Sequence, residues 1–208
     1  MEQLNGPQEI IIGDFTDGLE HGCKVASLSY EVAQEMGLAT EECDDIRMAG
    51  FLHDIGKIRL SRYLYGRNKA GLDVEEIQYM RMHAELSYEI VKENGFNSNT
   101  CNIVLHHHEN FDGSGYPSNL KGDDIPLGAR VLRVADAFIA LVSDRPYRAA
   151  FDTESAVEIM IEDIKNYDME VFIAFQRVIN TTDIDSIIGN HIFGESGTLD
   201  MSIFEEMR

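Results

Sequence analysis

Seven side chains spread along this sequence have the types expected of a metal-ligand set: His21, His53, Asp54, His83, His107, His108 and Asp136. They include five of the chain's seven histidines. The centre of the set is the stretch Phe51-Leu52-His53-Asp54-Ile55-Gly56-Lys57. Ile46, Ala49, Gly50 and His53 recur at i, i+3, i+4 and i+7, one face of a helix, and Gly56 is expected to stop that helix. Neighbouring helix residues point about 100° apart, so a His-Asp pair at a helix end can splay around a metal and leave the carboxylate to bridge two ions. Each residue alone has a plainer explanation: a core histidine beside a capping aspartate, an exposed His106-His107-His108 tract, a hydrogen-bonded Asp136. Taken together these explanations fail, because Asp136 sits inside the apolar stretch 131–142, where a carboxylate needs a cation or several donors. Imidazole and carboxylate without thiolate suit iron, manganese, cobalt, nickel or zinc. Seven ligands are too many for one tetrahedral site. They suit two ions about 3.5–4 Å apart, bridged by a carboxylate and a water.

The elements that must position these residues read as helices. The first dozen residues are expected to form a tail that packs as one extended segment. A long helix follows over 17–36, with His21 in its first turns and Gly37 at its end. Thr40-Glu41-Glu42 opens a second helix with acidic residues that suit the dipole, and His53-Asp54 lies at its far end. Residues 58–72 form a basic connector. Asp73 is a candidate N-cap for a helix through Arg81, and His83 begins the next, with Leu86, Ser87, Ile90 and Val91 inward and Asn94-Gly95 at its end. A short helix over 99–108 carries the histidine tract. Residues 110–128, rich in glycine, proline, aspartate and asparagine, form a loop. An apolar helix over 129–143 contains Asp136, and amphipathic helices follow over 153–165 and 168–180. A short helix is expected from Leu199. No segment has useful strand periodicity, so the fold class is all-α, a multi-helix bundle.

Composition narrows the function. The 208 residues suit one domain. Lys and Arg total 17 against 37 Asp and Glu, a formal charge of -20. That surface disfavours nucleic-acid polymers and anionic membranes, but metal ions can reverse the field for a small anion. Cys23, Cys43 and Cys101 form no CxxC pair, so neither a thiolate zinc site nor a disulfide framework is indicated. Met1-Glu2-Gln3-Leu4 does not begin a signal peptide, and a cytoplasmic location is expected.

The order H…HD…H…HH…D resembles the HD-domain metal-dependent phosphohydrolases. His107-His108-Glu109 followed by Asp112-Gly113-Ser114-Gly115-Tyr116-Pro117, then Ile125-Pro126-Leu127 before Val134-Ala135-Asp136-Ala137-Phe138, and finally Arg145-Pro146-Tyr147-Arg148, resemble the HD-GYP subfamily, which hydrolyses cyclic di-GMP in bacteria. The resemblance covers residues 14–180, leaving 1–13 as an N-terminal tail and 181–208 as a C-terminal extension. It implies an HD-domain bundle with a binuclear metal site in its core. His21, His53, Asp54 and Asp136 would hold one metal, and Asp54, His83, His107 and His108 the other. The same resemblance places Lys57 against substrate phosphate, Tyr116 in the signature loop beside the site, and Arg145 and Arg148 on the nucleotide; His106 is structural. Departures are local: Arg59-Leu60-Ser61 stands where the family has IPD, and the connector lacks the usual proline-glycine turn.

Family members with a third metal carry a glutamate four residues before the first histidine, where this chain has Asp17. Asp17 with Glu20 also fits a capping-box helix start, which would turn its carboxylate away from His21. The expectation is therefore two divalent ions, iron or manganese first, with zinc, nickel and cobalt as alternatives and a third ion only if Asp17 reaches it. The reaction implied is hydrolysis of cyclic di-GMP to pGpG, with slow cleavage to GMP, by a metal-bridging hydroxide attacking phosphorus. Asp54 and Lys57 would be the catalytic residues. The competing readings are a catalytically weak cyclic di-GMP-binding or interaction module and an HD phosphohydrolase for another nucleotide. GGDEF-type or other signalling proteins, and a homodimer, are the partners such a family membership allows.

Overall fold

A helix that is apolar around nearly its whole circumference has to be buried, and Leu127–Leu141 is such a helix: Val131, Leu132, Val134, Ala135, Phe138 and Ile139 are all buried on it. In the computed structural model, which describes residues 7–64, 74–144 and 148–188, it is the core element. In chain order the helices are α1 (Pro7–Glu35), α2 (Thr40–Leu52), α3 (Lys57–Leu64), α4 (Val74–Arg81), α5 (His83–Glu93), α6 (Ser98–His106), α7 (Leu127–Leu141), α8 (Thr153–Glu162), α9 (Met169–Thr181) and α10 (Ile184–Ile188). There is no strand among the described residues, and the all-α bundle expected from periodicity is the fold. Helix α7 packs against α1, α2, α6, α8 and α9. Val25, Leu28 and Val32 of α1, Ile46 of α2 and Phe175 of α9 complete one core with it. Helices α3, α4 and α5 pack on one another, and α5 joins the bundle through α6. No helix among the described residues is long and apolar enough to cross a membrane.

Two glycines set how closely α1 and α2 approach. A Cβ on Gly50 would sit 2.8 Å from the Ala26 Cα, and one on Gly22 would sit 2.8 Å from the Phe51 carbonyl oxygen. Backbone cannot yield as a flexible side chain can, so both positions need glycine. The contact brings His21 on α1 within 5.4 Å of His53, ring centre to ring centre. Gly50→Ala is expected to cost about 1–3 kcal/mol, as overpacking does. It should also lower the metal bound per chain, because it pushes the two histidines apart. Denaturant midpoints and metal analysis on the same preparation check this; an unchanged midpoint would show that the helices separate freely.

Four expectations are corrected. Helix α1 begins at Pro7, so Ile10, Ile11 and Ile12 are helical rather than extended, and the 13/14 boundary falls inside a continuous helix. Asp17 consequently lies within α1 and is not its N-cap. Gly56 is not a left-handed helix stop. It sits in the turn between α2 and α3 and is required by close approach: an added Cβ would run into the His83 carbonyl oxygen and lie 2.6 Å from the Ser87 nitrogen, while its own N–H donates to Ser87 Oγ at 2.9 Å. The basic connector begins with a helix, α3, in which Leu60 is buried. The other helix boundaries agree to within a few residues, and α10 is an addition. Arg145, the Asp73 cap and the helix expected from Leu199 lie outside the described residues.

Candidate metal centre

Three of the predicted ligands are positioned by one repeated device. The last carbonyls of a helix have no intrahelical partner. His53 follows α2 and donates its Nδ1–H to the Gly50 carbonyl at 2.7 Å. His83 follows α4 and donates to the Met80 carbonyl at 2.7 Å, and His107 follows α6 and donates to the Val104 carbonyl at 2.6 Å. A carbonyl only accepts, so each Nδ1 carries the proton and, in the neutral ring, each Nε2 is a bare lone pair. A backbone bond of this kind is how metal-ligating histidines are oriented.

The lone pairs converge. His83 Nε2 and His107 Nε2 lie 3.2 Å apart, and His108 Nε2 lies 3.1 Å from His83 Nε2. No proton is available between the first pair, so the contact is repulsive unless a cation sits among the rings. His83, His107 and His108 form one group able to hold a metal ion, and His21, His53 and Asp54 form a second. Asp54 lies between them, with Oδ2 3.3 Å from His53 Nε2 and Oδ1 3.3 Å from His83 Nε2. Asp136 Oδ1 accepts from His21 Nε2 at 2.9 Å and is 3.7 Å from His53 Nε2. The buried atoms His53 Nε2, Asp54 Oδ1 and His21 Nδ1 have no hydrogen-bond partner. Unpaired buried acceptors are costly, and His53 Nε2 and Asp54 Oδ1 belong to residues of one candidate ligand group. The donor set fits divalent cations on this ground.

Protonation suits the same purpose. Burial holds His107 far below the ordinary imidazole range and pushes His108 down to about 3. Burial lowers His83 as well, against the opposing pull of Asp54. Burial would raise Asp54 and Asp136, but His53 and Lys57 around the first, and His21 and His53 around the second, outweigh it and keep both carboxyls well below their usual range. Burial also works to lower His53, yet the charge of Asp54 wins and raises it. Near neutral pH the pocket therefore offers ionised carboxylates and mostly neutral imidazoles.

The remaining predicted residues fall around this core. Lys57 Nζ is 2.5 Å from Asp54 Oδ2, with a side chain 46% exposed, so its ammonium stands at the mouth of the site. The Tyr116 ring centre lies 4.8 Å from that of His108, and the Arg81 guanidinium carbon lies 5.1 Å from the Tyr116 ring centre. Arg148 is engaged elsewhere in this conformation. Its terminal nitrogens donate to the Ala140, Leu141 and Ala149 carbonyls, closing the end of α7, and the group lies over Phe151. Asp17 is exposed, one helical turn before His21.

Glu109 is a positioning residue to which the sequence reading assigned no role. It is 1% exposed, and its carboxylate accepts from the Ser118 N–H at 2.7 Å and the Leu120 N–H at 3.1 Å. With the Tyr116 N–H donating to the His108 carbonyl at 3.1 Å, it ties the 115–120 loop to the residues next to the histidine ligands. Its signal was a carboxylate directly after two ligands and before a glycine-rich loop. Glu109→Ala strands two backbone donors and is expected to cost about 2–4 kcal/mol, whereas Glu109→Gln keeps one acceptor and should recover part of that. Chemical denaturation of both variants checks it; equal losses would mean that the cavity and not the lost acceptors sets the cost.

The HD domain family matches residues 8–171. The sequence is 41% identical over 141 residues to the cyclic di-GMP phosphodiesterase response regulator RpfG of Xanthomonas campestris pv. campestris, covering 67% of this chain and 36% of that protein. It is 33% identical over 162 residues to the 3′3′-cGAMP-specific phosphodiesterase 3 of Vibrio cholerae, covering 77% of this chain and 35% of that protein. The chain thus spans about a third of the length of these two relatives. An HDG"Y"P protein from Bdellovibrio bacteriovorus shares the fold, with a TM-score of 0.62 at 21% identity over 77% of this chain and 51% of that one.

Proposed function

We infer a function from one premise: the chain belongs to the HD-domain family, in its HD-GYP branch. It is a metal-dependent phosphodiesterase that hydrolyses cyclic di-GMP. The observation that carries this reading is Asp54, whose two oxygens face two separate ligand groups, each 3.3 Å from a different histidine. A carboxylate placed this way could be shared by two ions. We assign one ion to His21, His53, Asp54 and Asp136 and the other to Asp54, His83, His107 and His108, with iron or manganese preferred. Bound there, such a pair would supply a nucleophilic water at neutral pH and neutralise phosphate charge.

The chain's own residues then have definite tasks. Lys57, exposed at the mouth, pairs with a non-bridging phosphate oxygen and is placed to give a proton to the departing ribose 3′-oxygen. Tyr116, fixed between His108 and Arg81, closes one side of the site. Arg148 holds the end of α7 in the conformation seen, and Arg145 and Arg148 remain our candidates for contacts to the nucleotide. With Asp17 inside α1, the capping argument against a third ion no longer applies. We keep two ions and pGpG as the expectation, and a third ion beside Asp17 would instead go with GMP as the direct product.

Incubation of the reduced protein with Mn²⁺ or Fe²⁺, followed by chromatography of products and metal analysis, tests this. Cyclic di-GMP should give pGpG. Preferential cleavage of 3′3′-cGAMP, suggested by the Vibrio relative, would move the substrate and keep the chemistry. Tight binding without turnover under every metal would replace the enzyme with a binding module.

A further inference from the structure

In the two-ion reading, the carboxylate to be shared stands on a turn and not within a helix. Asp54 lies between α2 and α3, whereas His83, which it approaches, begins α5. The turn must be held against α5 if an Asp54 oxygen is to face His83, His107 and His108.

The backbone of this segment spends its donors locally, with one exception. The Ile55, Lys57, Ile58 and Arg59 N–H groups each donate to the carbonyl three residues back, at 2.9–3.2 Å. The Gly56 N–H instead leaves the turn and donates to Ser87 Oγ of α5 at 2.9 Å. Ser87 is fully buried and stands four residues after His83, so the two side chains lie on one face of α5. That face presents the His83 ring to Asp54 Oδ1 and the Ser87 hydroxyl to the amide two residues further on. Glycine at 56 permits the approach, since an added Cβ would lie 2.8 Å from Ser87 Oγ. Arg59 also links α3 to α5, through Glu89 at 3.4 Å and Glu93 at 3.3 Å, but these are exposed side chains, and such pairs contribute little. A buried amide that loses its acceptor costs more. The Ser87 bond is therefore the contact that resists a tilt of the turn.

We propose that Ser87 is a positioning residue of the metal centre: its hydroxyl holds the Asp54 turn where the carboxylate can be shared with the ion of His83, His107 and His108. The proposal rests on the two-ion reading of the site. The effect is one-sided. His21, His53 and Asp136 belong to α1, the end of α2 and α7, and Asp54 adjoins His53 in the chain itself. Loosening the turn from α5 leaves that group together. His83, His107 and His108 are reached by Asp54 only across the gap that the Ser87 bond spans. Loss of the hydroxyl thus weakens one ion and spares the other.

The test uses the full chain, stripped of metal by chelation, and its Ser87→Ala variant. Val178→Ala, in the α9 core, controls for lost stability alone. Calorimetric titration with Mn²⁺ reads the affinities, and denaturation midpoints are taken on the same preparations. The parent should take up two ions. In Ser87→Ala one affinity should fall about tenfold or more, the usual effect of removing support from a metal ligand, while the other stays within about twofold. Val178→Ala should lower the midpoint and leave both affinities unchanged. Ser87→Thr keeps the hydroxyl and should keep both affinities, whatever its extra methyl does to the midpoint. Hydrolysis of cyclic di-GMP by Ser87→Ala should fall at limiting Mn²⁺ and recover at saturating Mn²⁺. Parent-like affinities at both positions in Ser87→Ala would overturn the proposal, and so would an equal fall at both, which is what general loosening produces. A one-sided loss of affinity in a chain that hydrolyses no cyclic di-GMP would defeat the phosphodiesterase reading and leave the role of Ser87 standing.

Discussion

Asp54→Ala is expected to reduce hydrolysis of cyclic di-GMP by at least about a thousandfold, roughly 4 kcal/mol of barrier, and to lower metal content at both positions. The reason is geometric. Asp54 places Oδ2 beside His53 and Oδ1 beside His83, and no other carboxylate among the predicted ligands touches both groups. Asp136 contacts only His21 and His53, so Asp136→Ala should deplete one position and spare the other. Lys57→Ala separates metal binding from chemistry. Its ammonium touches the carboxylate but is not a ligand, and its loss should cut turnover by about a hundredfold or more while metal content holds. Metal analysis across the three variants reads the pattern. Parent-like occupancy in Asp54→Ala would remove the shared-carboxylate role.

How much of this was legible in the sequence depended on whether the signal was local. The helices around Val131 and Ile46 declared themselves because their apolar residues repeat at helical spacing and tertiary packing agrees with that pattern. The start of α1 did not, because Asp17 and Glu20 make a convincing capping pair that nothing local contradicts, and only the continuing helix back to Pro7 overrides it. Gly56 was misread for a similar reason. A glycine after a helix usually serves its own backbone, but this one serves the carbonyl of His83, twenty-seven residues away and invisible to any local rule. The candidate ligands were legible by residue type. What fixes their tautomers was not, since the i−3 carbonyl bonds of His53, His83 and His107 depend on where each helix ends.

The metal-free protein is expected to lose stability steeply as the pH falls below about 6.5, and to lose it there rather than near the carboxylate range. An unfolded imidazole takes up a proton near 6.5. Folded, His108 stays neutral down to about 3, and His83 and His107 are shifted the same way, chiefly by burial. Between those limits the unfolded chain binds more protons than the native one, so stability rises with pH and falls with acid. Each proton withheld contributes about 1.4 kcal/mol per pH unit. The raised value of His53 acts oppositely, favouring the fold on the acid side of its folded value, but one group is set against four, since burial lowers His106 as well. Asp54 and Asp136, both lowered, add their loss only below about 4. Thermal melts of the chelated protein between pH 8 and 5 should show the midpoint falling continuously from about pH 6.5, and His108→Asn should flatten that slope. Added Mn²⁺ should raise the midpoint more at pH 7.5 than at pH 5.5, because cations and protons compete for the same nitrogens. A midpoint independent of pH across that range would mean that the histidine cradle opens to water and its rings titrate as free imidazoles.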